Sequence, residues 1–181
     1  MRASVNALEL QRSALKRALG QRVDAVWPEG AVVRRAKDWS FRGQASPPDA
    51  VESLLWSARA GDVDRLGGLI RFEPSAKKKA EALLAGLPEA ARAQYGSPET
   101  IVATMIAAQI PTDYSAIATV RETEPDSDSA LLTLRVEEGS GAQRDLELKF
   151  QREQDSWRLD VPEGVVNRLA VQLESPASPV H

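Results

Sequence analysis

The hydrophobic period of this chain changes at Pro111, and that change limits what it can fold into. Before Pro111 the apolar residues recur every three or four positions, as on one face of a helix; after it they alternate, as on one face of a strand. Leu132, Leu134 and Val136 alternate with Thr133 and Arg135, Leu146, Leu148 and Phe150 with Glu147 and Lys149, and Trp157, Leu159 and Val161 with Arg158 and Asp160. Residues 114–123 read as a first, weaker strand. The joins EPDSDS, EEGSGAQ and REQDS are short and turn-rich, which predicts antiparallel neighbours and a four-stranded meander with one apolar and one wet face. Pro162 then opens a last helix with Val166, Leu169, Ala170 and Leu173 facing inward, before the tail SPASPVH.

Upstream, Ser46 caps a helix that begins at Pro47 and stops at Gly61, with Val51, Leu54, Leu55 and Ala58 as its stripe. The spacing predicts a second helix from Asp62 to just before Pro74, with Val63, Leu66, Leu69 and Ile70 inward. A third carries Ala76, Ala80, Leu83, Leu84 and Leu87, a short one runs from Pro88 to Gly96, and one capped by Ser97 carries Ile101, Val102, Met105, Ile106 and Ile110. A set of amphipathic helices needs a floor and a one-faced sheet needs a cover. The predicted fold is therefore α+β, a helical layer packed on a four-stranded antiparallel meander sheet, with an N-terminal and a C-terminal helix.

The organisation expected along the 181 residues is an amphipathic N-terminal helix or arm over 1–30, an aromatic connecting segment over 31–45, an α+β domain over 46–174 and a disordered tail over 175–181. In the arm, Val5, Leu8, Leu15 and Leu19 follow a heptad-like spacing that Arg12 interrupts. Residues 1–45 hold nine Lys/Arg against four Asp/Glu, so a basic arm precedes an acidic body. Docking of the arm on the body, or a solvated helix, explains this better than nucleic-acid binding, because the charges are dispersed and aromatics are few.

The composition removes several kinds of chemistry. With no cysteine there is no thiol nucleophile, thiolate metal site or disulfide, and the lone histidine is the last residue, His181. No cofactor and no metal site is expected. No apolar run approaches the roughly 20 residues of a membrane span. The expected location is cytoplasmic by default, or exported or anchored if the native chain extends further at its N-terminus. Lys77-Lys78-Lys79 reads as a solvated helix face, the GSG at 139–141 as a hairpin turn, and Asp126 with Asp128 as a turn lacking the other ligands of a calcium loop. General acid–base work falls to carboxylates and tyrosines, with Asp113-Tyr114, Tyr95 and Glu99 the best placed, yet adjacent strand residues point to opposite faces. No catalytic residue is assigned.

Trp56 lies off the stripe of its own helix, roughly 140° from Val51. Its helix has two apolar sides, and the connecting segment with Trp39 and Phe41 is the expected cover for the second. The candidate pocket or seam residues are Trp39, Phe41, Trp56, Arg59, Tyr95, Tyr114 and Trp157.

The order of elements, the stretch SPPDAVESLLWSARAGD and the closing WRLDVP resemble the nuclear-transport-factor/SnoaL-like superfamily over residues 46–161. Trp39, Phe41, Gly43, Ala45, Ser46 and Pro47 are similar to a bacterial module with the pattern W-x-F-x-G-x-A-[S/T]-P that trails sigma factors or membrane anchors. The resemblance implies a pocket between helices and sheet and dimerisation through the sheet. Enzymes of the superfamily, such as ketosteroid isomerases, place an aspartate and tyrosines in that pocket. Here Leu55, Trp56 and Arg59 stand where such a tyrosine would be sought, so no catalytic residue carries over. The sequence favours a non-enzymatic binding or assembly module, with a protein partner or a homodimer ahead of nucleic acid. The alternative is a SnoaL-like protein or enzyme that takes a small apolar ligand between helices and sheet.

Overall fold

The entry into the domain is built around Ser46. In the computed structural model, which describes residues 27–174, its hydroxyl oxygen accepts from the Asp49 N–H at 3.3 Å, and its own proton goes to the Asp49 carboxylate at 2.7 Å. Pro47 and Pro48 fill the first-turn positions whose N–H would have no helical partner anyway, and α1 (Pro47–Ala60) runs from there to Gly61, which closes it in the left-handed conformation at φ 69°. The expected stripe of Val5, Leu8, Leu15 and Leu19 and the tail 175–181 lie outside the described residues.

The helix expected from Asp62 to Pro74 is α2 (Val63–Gly68) only. Gly67 and Gly68 are poor helix formers, and the chain leaves the helix there for the short strand β2 (Ile70–Phe72), with Ile70 and Phe72 buried and Arg71 between them. The remaining helices of this half are α3 (Pro74–Ala85), α4 (Glu89–Tyr95) and α5 (Pro98–Gln109), the last capped by Ser97, whose Oγ accepts from the Thr100 N–H at 3.1 Å. Lys77, Lys78 and Lys79 are all exposed.

After Pro111 come β3 (Tyr114–Asp126), β4 (Ser129–Glu138), β5 (Gln143–Glu153) and β6 (Ser156–Val161), joined as antiparallel neighbours, then α6 (Glu163–Glu174). The sheet is nonetheless not the four-stranded antiparallel meander of the sequence reading. It is a six-stranded mixed sheet in the order β1-β3-β4-β5-β6-β2. The strand β1 (Val33–Arg35) comes from the connecting segment and adds antiparallel to β3, with Val33 opposite Ala118. At the other edge β2 lies parallel to β6, Ile70 beside Leu159 and Phe72 beside Val161. A parallel neighbour requires a long crossover. Here that crossover is everything between residues 73 and 155, which hides the pairing from any local signal.

Helices and sheet share one core, with Leu66, Ile70, Ile101, Leu132, Phe150 and Leu169 fully buried. The opposite sheet face is charged: Arg135 forks onto Asp145 at 2.8 and 2.9 Å, and Lys149 meets buried Asp160 at 2.9 Å. The GSG stretch forms the β4–β5 turn, with Gly141 at φ 81°. Asp126 ends β3 and Asp128 lies in the β3–β4 turn, where the Asp126 carboxylate accepts from the Asp128 N–H at 2.9 Å.

Candidate functional site

Three places concentrate side chains that the fold alone does not require: a buried glutamate, an aromatic cluster and an apolar cavity. The glutamate is Glu52, on the first half of α1 and 1% exposed. Its carboxylate accepts from the Ser40 N–H at 3.0 Å and from Arg42 Nε at 3.1 Å, and Arg34 pairs with it from β1. Burial alone would push this carboxyl up, but the Ser40 N–H and the two guanidinium groups outweigh it and hold the group below the usual glutamate range. Each of these donors comes from residues 34–42, so Glu52 is the point at which the connecting segment is fastened to α1. With its acceptor sites taken, it is not a free base.

On the side of α1 away from the core stripe, the Trp56 ring meets Phe41 edge-on, centroids 6.1 Å apart at 69°. The Arg65 guanidinium covers both rings, 4.9 Å from Phe41 and 5.4 Å from Trp56. Trp39 turns elsewhere: it is buried, and its indole N–H donates to the Arg34 carbonyl at 3.2 Å.

The cavity lies between the helices and the apolar sheet face and measures about 320 Å³. From above, α1 contributes Val51, Leu54 and Leu55, and the end of α5 contributes Ile106, Gln109 and the cap residue Ile110. The floor is Leu134, Val136, Leu146, Leu148 and Leu159. At one end stand Tyr114 and Arg144, the second donating a hydrogen bond to the Tyr114 hydroxyl. Arg144 Nε faces Glu138 at 3.5 Å, and its guanidinium lies 5.5 Å from the Tyr114 ring centre.

Register puts these groups together. Val136 is opposite Arg144 and Tyr114 is opposite Glu138, so the first inward position of β5 and the last of β4 meet at the start of β3. Arg144 continues the inward series Phe150, Leu148, Leu146 by one more step of two. The alternation itself reaches that far, and Arg144 departs from it only in being charged.

Of the seven candidate residues from the sequence, only Tyr114 reaches this cavity. Trp39 and Arg59 line, with Tyr114, a separate crevice of about 60 Å³. Phe41 and Trp56 form the outer cluster. Trp157 is buried in the core, its backbone N–H bonded to the Gln44 carbonyl at 2.9 Å, and Tyr95 packs half-buried against the core from α4. Asp113 is exposed just before β3 begins and does not line the cavity, while Glu99 borders a polar cleft near Arg71 and Arg158.

No family model, curated protein or solved structure matches this chain. Among the described residues no group of three or more histidine, cysteine, aspartate or glutamate side chains is placed to hold a metal ion, and no helix is long and apolar enough to cross a membrane. The lining of the cavity includes no carboxylate; its polar side chains are Tyr114, Arg144 and Gln109, and Arg144 is the charged one.

Proposed function

We propose that this chain is a non-enzymatic binding module that takes a small apolar molecule into the space between α1, α5 and the sheet. The observation that carries the reading is the cavity itself, about 320 Å³ and floored by leucine and valine. That volume stands at the lower end of the roughly 300–1,000 Å³ typical of ligand sites, and few polar groups in an apolar wall is their usual make-up. The resemblance in outline to SnoaL-like proteins, with a pocket between helices and sheet, supports the same reading.

Calorimetric titration with a neutral apolar probe, 1-decanol, tests it. The expected result is saturable one-to-one binding that is lost in Leu148→Trp, a variant that fills the floor of the cavity and keeps the wild-type fold by circular dichroism. Absence of saturable binding to the wild type, or equal binding to the filled variant, overturns the reading.

A protein partner is a second reading, favoured by the Phe41–Trp56–Arg65 cluster on the outer side of α1, where Phe41 is 41% exposed. Aromatic and arginine side chains are the usual anchors of such contacts. If the cluster serves this role, Phe41→Ser with Trp56→Ser abolishes self-association seen by sedimentation; an unchanged sedimentation coefficient excludes a homodimer through it.

A further inference from the structure

Accepting the cavity as a ligand site, we infer that its ligand carries a carboxylate head, which Arg144 and Tyr114 read at the polar end while the apolar body lies along Leu146 and Leu148. The inference rests on the reading above and adds the chemical class of the ligand.

Two unused donors converge there. Arginine has five N–H donors and no acceptor. In this site Nη2 goes to the Tyr114 hydroxyl and Nε faces Glu138, while Nη1 has no acceptor among the described residues. Tyr114 is 6% exposed; its oxygen accepts from Arg144, and its own proton has no acceptor among the described residues. The Arg144 side chain is 48% exposed, so water reaches its free edge, and a ligand that brings an oxygen to that edge also meets the buried Tyr114 hydroxyl proton. Arg144 is the one charged residue on the cavity wall, and its sign selects an anion. A planar carboxylate suits this better than a bulkier phosphate, because one oxygen can take the Nη1 proton and the other the phenol proton.

Glu138 works against such a ligand. It already offsets part of the Arg144 charge from 3.5 Å and is not itself among the residues that line the cavity. Its neutralisation should therefore strengthen carboxylate binding and leave neutral ligands alone.

The test compares decanoate, methyl decanoate and 1-decanol, titrated into the whole chain and into Arg144→Met, Tyr114→Phe and Glu138→Gln. Decanoate should bind the wild type more tightly than its methyl ester. Arg144→Met should weaken decanoate by about 10- to 100-fold and leave 1-decanol unchanged. Tyr114→Phe should act in the same sense but less, and Glu138→Gln should tighten decanoate about two- to fivefold. If Arg144→Met does not fold, the wild-type preference for the acid over its ester and the response to Glu138→Gln still decide the matter. Equal affinity for acid, ester and alcohol, undisturbed by these substitutions, overturns the carboxylate while leaving the apolar cavity standing. Binding of none of the three to the wild type overturns both.

Discussion

Glu52 and Arg42, ten residues apart in sequence, face each other across the seam between helix and connecting segment, with both carboxylate oxygens 3.1 Å from the guanidinium Nε. A nearly inaccessible carboxylate is costly unless its lone pairs are filled, and here the strand and turn preceding the helix fill them. The segment of residues 34–42 is thus fastened to the helix that follows it.

Removing that carboxylate should loosen the segment. Glu52→Ala is expected to cost about 1–3 kcal/mol in denaturant unfolding, the range for stripping a buried hydrogen-bonded charge whose partners can still reach water. Arg34 and Arg42 keep side-chain exposures of 30% and 53%, which is why the upper range for fully buried pairs does not apply. A loss below the error of the measurement would show that the segment is held by other contacts.

The same group sets an acid limit. Its folded carboxyl lies below the ordinary glutamate value, so its contribution is complete above the unfolded pKa, about 4.3, and drains away as pH falls through the lowered folded value. Unfolding free energies of the wild type and Glu52→Gln, measured from about pH 7 to about pH 3, should differ most at neutral pH and converge on acidification. Parallel curves would remove Glu52 from the acid response.

The contact of Phe41 with Trp56 predicts a spectroscopic change. Phe41→Ala should cost about 1 kcal/mol and move tryptophan emission to the red, and the shift should vanish in a Trp56→Phe background. Emission that is unchanged by Phe41→Ala would mean that the indole is covered by something else.

The β5–β6 turn offers a gain. Gln154 and Asp155 have φ of 48° and 64°, a two-residue hairpin turn in the left-handed region without glycine. Replacing the pair by Asn-Gly should stabilise the chain by about 1 kcal/mol, since the Arg152–Asp155 ion pair lost with it is highly exposed. A lower melting temperature in the double variant would refute this account of the turn.

Much of this architecture can be read from alternation and caps. Ser46, Gly61 and Ser97 mark helix ends by chemistry that acts within three residues, and β4 to β6 show their inward faces as Leu132-Leu134-Val136, Leu146-Leu148-Phe150 and Trp157-Leu159-Val161. The two edge strands escape such reading for a physical reason. Three residues are too few to show a period of two, and Ile70 and Leu69 also fit the helical spacing set by Val63 and Leu66, so only the Gly67-Gly68 pair signalled the change. The site was legible in one residue, Tyr114. Arg144 was hidden because a charged residue on an otherwise apolar strand face looks like the end of the pattern, when here it is the polar end of the cavity.

Methyl-resolved NMR during a titration with 1-decanol tests the central claim most directly, because it reports where a neutral apolar molecule sits. Binding in the cavity predicts saturable shifts at the methyl groups of Leu54, Leu134, Val136, Leu146 and Leu148, with exposed Val32 and Val171 unmoved. Shifts at the surface valines with none at the five cavity residues would contradict it.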